Sequence, residues 1–263
     1  MPIIPSRDEF IRLARRGNVI SVYGELLADF ETPVSAFLKL DDGRFSYLLE
    51  SVEGAEKVAR YSFLGSRPRL LFTSAGRHVE MSEFREGRPP AVKRFETRDD
   101  PLLEVQRLMR RFRFVPVAGL PRFCGGLVGY LGYNIVQFLE RLPAHQVDDV
   151  RVPDLMLMLT DTIVIFDHAQ HKLFVVVNAQ TQGRRPAAVY HEAVREIKRL
   201  TDRLRTSSRA PKPRPTRRKT RGGAVRSNIS RREFTEMVRR AKAYIRDGDA
   251  IQVVLSQRLE RGL

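Results

Sequence analysis

The chain has 263 residues, enough for one large domain or two small ones around a substantial core, and its 42% apolar and 30% charged residues are ordinary values for a globular protein. No run of about 18 apolar residues could cross a membrane, no basic segment followed by an apolar stretch opens the chain as a secretory leader does, and the single cysteine, Cys124, has no partner for an internal disulfide, so a cytoplasmic protein is expected. The net charge of +16 points first to nucleic acid, but nine Lys/Arg and no acid fall between positions 205 and 226, so more than half of the excess sits in one segment.

In chain order, Ser6 and Glu9 have the S-x-x-E spacing of a capping box and open a short helix carrying Phe10, Leu13 and Ala14, with Gly17 at its end. Residues 19–23 read as a strand. Thr32 followed by Pro33 is an N-cap with proline in the first helical position, and Val34, Phe37 and Leu38 follow in that helix. Asp42-Gly43 turns the chain into a strand over 45–50, with further strands near 60–64 and 69–73. Residues 75–98 are polar, and their strand signal is weak. Asp100-Pro101 starts a helix with apolar positions Leu102, Val105, Leu108, Met109 and Phe112.

Residues 123–133 hold four glycines within eight positions. They lack both the lysine of a phosphate loop and the spacing of a dinucleotide fingerprint, so a structural role is expected, in close backbone packing or a strand bend. Residues 156–167 and 172–178 are β-rich and read as a hairpin whose tip holds His168 and His171; the five histidines show no metal-ligand spacing. Pro186 opens a long helix with Tyr190, Val194, Ile197, Leu200 and Leu204 along one stripe. Cys124 has no basic or histidine neighbour in sequence and reads as an inert core thiol.

Residues 205–228 alternate prolines and basic residues and cannot bury enough apolar surface to offset chain entropy, which makes them a flexible linker. The run could attract polyanions through counterion release. It has no interleaved aromatics and no nucleic-acid fold signature, so neither nucleic acid nor membrane is the expected partner. Ser230 and Glu233 form a second capping box for a helix through Phe234, Met237, Val238, Ala241 and Ile245, ended by Asp247-Gly248-Asp249. A strand is expected over 250–258. One helix and one strand do not make a domain. The expected organisation is therefore an N-terminal α+β domain over 1–204, a basic linker over 205–228, and the opening of an incomplete domain over 229–263.

Four segments carry a family likeness: Tyr23-Gly-Glu-Leu-Leu-Ala-Asp-Phe-Glu-Thr-Pro-Val-Ser-Ala-Phe-Leu-Lys-Leu40; Tyr47-Leu-Leu-Glu-Ser51 with Arg60-Tyr-Ser-Phe-Leu-Gly65; Gly125-Gly-Leu-Val-Gly-Tyr-Leu-Gly-Tyr133; and Gly248-Asp-Ala-Ile-Gln-Val-Val-Leu-Ser-Gln-Arg258. In this order they resemble the N-terminal half of the large, chorismate-using subunit of anthranilate synthase. The resemblance implies an α+β fold of the chorismate-utilising type, with antiparallel β-sheets packed together and helices flanking them. It also implies a lyase reaction, in which chorismate and ammonia give anthranilate and pyruvate in the first committed step of tryptophan biosynthesis. Ammonia would come from a glutamine amidotransferase subunit, and L-tryptophan would inhibit. Mg²⁺ is implied as cofactor, with its ligands in the other half of the family's length and none in this chain. The resemblance further implies that residues 1–204 are regulatory and structural and that 229–263 start an incomplete chorismate-binding domain; as a fragment, the chain is expected to be inactive alone.

Residue by residue, the resemblance places tryptophan inhibition on Leu49, Glu50, Ser51, Tyr61 and Ser62. Glu50 supplies acceptor oxygens for an ammonium or indole N–H, Ser51 supplies a hydroxyl, and Leu49 could cover an indole face. The family's site also uses residues beyond this half. The bland reading is a strand ending in polar residues, with Arg60 paired to a nearby acid. Gln252 matches the position where family members that add ammonia carry glutamine and those that add water carry lysine. Its amide could orient a nucleophile or a ring hydroxyl, although an inward-facing polar strand residue would look the same. Where the family has an acid after Gly-Tyr, this chain has Asn134, which puts any charge role there in doubt. Alternatives are component I of aminodeoxychorismate synthase, a non-catalytic tryptophan-sensing or partner-binding module, and a nucleic-acid binder using the basic segment.

Overall fold

The computed structural model describes residues 1–29, 31–50, 60–85, 87–142, 148, 150–206 and 223–261. It divides into two compact units, Met1–Ser208 and Arg209–Leu263. The first unit runs β1 (Ile3–Ile4), α1 (Arg7–Leu13), β2 (Val19–Leu27), α2 (Pro33–Leu40), β3 (Ser46–Leu49), β4 (Tyr61–Ser66), β5 (Leu70–Ala75), β6 (His78–Arg85), β7 (Arg88–Glu96), α3 (Pro101–Met109), β8 (Phe114–Val115), β9 (Gly126–Leu131), a 3-10 turn at Tyr133–Phe138, β10 (Leu155–Thr160), β11 (Thr162–Asp167), β12 (Lys172–Gln180) and α4 (Pro186–Arg205). The second holds β13 (Arg226–Ser227), α5 (Arg231–Asp247) and β14 (Leu259–Glu260).

The architecture is α+β, with antiparallel sheets and flanking helices. A seven-stranded sheet runs β1-β2-β12-β11-β4-β3, with β8 added beside β2 as the one parallel pair among the described strands. A five-stranded sheet runs β7-β6-β5-β10-β9. The larger sheet is buried on both faces. Leu173, Val175 and Val177 of β12 pack with Phe10, Ala36, Tyr190 and Ile197 of the helices, while Phe174 and Val176 face a cluster with Tyr23, Ile165 and Phe123. Two covered faces explain why β12 reads as a continuous apolar run rather than an alternating one. The smaller sheet has its own core, in which Phe72, Leu155 and Leu157 meet Leu108 of α3 and Ile135 of the 3-10 turn.

Local signals start the helices where expected. Ser6 accepts from the Glu9 N–H at 3.3 Å, but α1 stops at Leu13, before Gly17. Gly17 serves contact instead, since a Cβ there would lie 2.3 Å from the Arg113 carbonyl oxygen. Thr32 caps α2 reciprocally with Ser35, and Ser230 caps α5 reciprocally with Glu233. α5 ends on Gly248 in the left-handed region, at φ 83°.

Three expectations are corrected. Residues 75–98 form a hairpin, β6 and β7. β7 contains Pro89 and Pro90, which an edge strand tolerates because one row of its N–H groups needs no partner. The apolar run over 156–167 is two strands: β10 belongs to the small sheet and β11 to the large one, with Asp161 at the crossing. Residues 250–258 do not form a strand, and the ladder is confined to β14 against β13. Extended chain becomes a strand only where a neighbour takes its N–H and C=O groups. Here the Asn228 N–H donates to the Arg258 carbonyl and the Arg258 N–H donates to Asn228 Oδ1, while Ile251 is 99% exposed.

Candidate functional site

The end of β3, the start of β4 and the β11–β12 turn come together in the first unit. β3 pairs with β4 through Leu48↔Leu64 and Leu49↔Phe63, and β4 pairs with β11 through Ser62↔Phe166 and Tyr61↔Asp167. Strand alternation then sorts the side chains. Leu48 and Leu64 join the helix-covered core, whereas Tyr61 and Phe63 face the opposite cluster with Phe123. Leu49 shares the face of Tyr61 and Phe63 and is largely exposed, as is Glu50 just past the strand end. Ser51 lies outside the described residues. Ser62 is buried on the helix-covered side and meets His168 Nε2 at 2.7 Å.

A fixed ion pair supports this corner. The Arg60 guanidinium donates to both Asp167 oxygens, with Nε at 3.0 and 3.2 Å and an η-nitrogen at 2.7 Å. Asp167 is only 2% exposed. It also accepts from the backbone N–H groups of Ala169 and Gln170 at 3.1 and 3.2 Å, so one carboxylate shapes the turn and holds the arginine. Burial pushes its carboxyl up, but the Arg60 hydrogen bonds, the two backbone donors and the Arg60 charge together outweigh burial and hold it below the usual carboxylate range. Arg60 also lies 4.9 Å above the Tyr61 ring centre. On one face the corner therefore offers a cation-faced aromatic ring, with an exposed carboxylate at Glu50 just past the strand end, while the buried Ser62 hydroxyl is held by His168 on the other face. Sequence reasoning foresaw an acid for Arg60 but took Asp167 and His168 only as a hairpin tip; the Asp at the first turn position was the available signal.

Gln252 lies in the second unit, in the exposed extended segment before β14. Among the described residues, no three His, Cys, Asp or Glu side chains come together as a possible metal-ligand set.

The glycine-rich segment works by close contact. A Cβ at Gly129 of β9 would sit 1.9 Å from the Met156 carbonyl oxygen, and one at Gly125 would sit 2.1 Å from Asn178 Nδ2. Asn178 in turn donates to the Cys124 carbonyl at 2.8 Å and accepts from Ser21 Oγ at 2.7 Å. Burial pushes the Cys124 thiol up, which keeps it protonated and a poor nucleophile. Asn134 donates to Asp154 Oδ1 at 3.2 Å.

The fold and these segments define a class: residues 67–263 match the model of the chorismate binding enzyme family, and the chain belongs to that family. It is 38% identical over 97% of its length to anthranilate synthase component 1 of Acetivibrio thermocellus, covering 51% of that protein. It is likewise 38% identical over 97% of its length to the protein of the same name from Aquifex aeolicus, covering 50% of it. The crystal structure of anthranilate synthase component I from Streptococcus pneumoniae TIGR4 superposes with a TM-score of 0.53 at 22% identity over 89% of this chain and 48% of that one, a likeness of fold. The chain thus spans about half the length of the curated relatives it matches.

Proposed function

We propose that the chain is the N-terminal half of an anthranilate synthase component I. The observation that carries this reading is similarity sustained over 97% of the chain to proteins of that name. In this reading the complete protein is a lyase of tryptophan biosynthesis in the cytoplasm. It converts chorismate and ammonia to anthranilate and pyruvate, takes ammonia from a glutamine amidotransferase subunit, uses Mg²⁺ held outside the described residues, and is inhibited by L-tryptophan. Gln252 orients the incoming nucleophile or a ring hydroxyl through its amide. The strand corner binds tryptophan: Glu50 accepts from the ammonium, Tyr61 and Leu49 offer apolar faces, Ser51 supplies a hydroxyl, Ser62 supports the corner from the opposite face through His168, and the Arg60–Asp167 pair keeps β4 and β11 in register.

Catalysis by positioning requires the whole shell of groups around one substrate. The 263-residue chain given chorismate, ammonium and Mg²⁺ should form anthranilate, followed by its fluorescence, at least about 100-fold more slowly than a full-length relative. Comparable rates would overturn the fragment reading. Calorimetric titration with L-tryptophan tests the inhibitor site separately: binding should weaken tenfold or more in Glu50→Ala, and unchanged binding would remove Glu50 from the site.

A further inference from the structure

A second concave site lies at the opposite end of β3, away from Leu49 and Glu50. It is a cleft of about 460 Å³ where the α2–β3 turn, the β4–β5 turn, the end of β6 and α4 meet. Five arginines line it: Arg44, Arg67, Arg69, Arg85 and Arg199. Phe45 and Phe84 stand beside them with ring centres 5.7 Å apart. The volume falls within the range of small-molecule sites, about 300–1,000 Å³.

Most of these guanidinium groups are loosely held. Among the described residues, no carboxylate lies within ion-pair reach of Arg44. Arg85 reaches Glu83 at 3.2 Å, Arg67 reaches Asp42 at 3.4 Å, and Arg69 divides between Asp161 at 3.5 Å and Glu83 at 3.8 Å. Good charge-assisted pairs close to about 2.7–2.9 Å, as Arg199 does with Glu196 at 2.5 and 2.7 Å. An entering carboxylate therefore meets planar donor forks that no tight pair has saturated. Arg67 adds a second observation. It holds a left-handed backbone at φ 55°, a conformation that a non-glycine residue keeps only where surrounding structure demands it.

We propose that this cleft binds a small ring-bearing carboxylate. The carboxylate is taken by Arg44 and Arg85, and the ring lies against Phe45 and Phe84. The excess of guanidinium over carboxylate is small once the paired acids are counted, so the site suits a monoanion rather than a polyphosphate. The aromatic pair distinguishes a ring from a short aliphatic acid. The inference stands on the cleft alone and is independent of the reaction proposed above.

Benzoate, acetate and inorganic pyrophosphate serve as probes of the 263-residue chain, at equal ionic strength, by calorimetry and thermal unfolding. Benzoate is expected to bind saturably and to raise the melting temperature, since a ligand that binds only the folded state stabilises it. Acetate is expected to bind at least tenfold more weakly. Arg44→Ala and Arg85→Ala, both at exposed side chains, should each weaken benzoate tenfold or more, and Phe84→Leu should bring benzoate down toward acetate. Equal affinity for acetate and benzoate overturns the proposal. So does tighter binding of pyrophosphate than of benzoate, or benzoate binding that survives both arginine changes.

Discussion

At the scale of single residues, the chain's buried polar groups show where substitutions should be felt. Asp161 sits where the chain passes from one sheet to the other: its carboxylate accepts from Gln180 Nε2 at 2.9 Å and lies 3.5 Å from the Arg69 guanidinium. Burial pushes its carboxyl up to about 6, against the opposing pull of Arg69 and Gln180. A raised carboxyl favours the protonated form in the folded state. Its contribution is complete below the ordinary value of 3.8 and is lost as pH rises through about 6. Because 28% of the side chain remains open to solvent, the loss should be about 1–2 kcal/mol rather than the full shift. Urea unfolding across this window should show the slope, and Asp161→Asn should flatten it; an unchanged slope would assign it elsewhere. Asp167 has the opposite sign. Its carboxyl is held down, so its contribution is present above the usual carboxylate range and is lost on acidification, and Arg60→Ala should move that loss to higher pH.

Elements are specified partly by their own residues and partly by what lies beside them. α5 has a reciprocal cap, an acid in its first turn and a left-handed glycine after its last, all readable locally. Ser230→Ala should cost about 1 kcal/mol of helix stability, seen as lost far-UV ellipticity on heating. β9 is specified by contact. Gly129 abuts the backbone of β10, which cannot yield as a flexible side chain does, so Gly129→Ala should cost roughly 2–4 kcal/mol in urea unfolding. A cost below half a kilocalorie would mean that the two strands can separate. Asn178 joins β12 to Cys124 and Ser21, and Asn178→Ala should cost about 2–3 kcal/mol by leaving a buried carbonyl and hydroxyl without their partner.

For the whole molecule, helix caps, the β11–β12 hairpin and the apolar stripe of α4 were legible in the amino-acid sequence, because each depends on neighbours within a few residues. The acid that pairs with Arg60 was foreseen as a type of residue, but not as Asp167, which lies 107 positions away. The hairpin of β6 and β7 was hidden by its prolines and exposed face, and the division of residues 156–167 between two sheets had no signal beyond Asp161. The same limit applies at 250–258, where a β-like sequence has no ladder partner among the described residues. The sequence by itself determined the family, through four ordered segments, and most element starts, through caps and periodicity. Only the tertiary structure decided which sheet each strand joins, that Leu49 and Tyr61 face away from Ser62, and that five arginines from distant segments share one cleft. Pairing and juxtaposition depend on which surfaces bury one another, and that is a property of the whole chain.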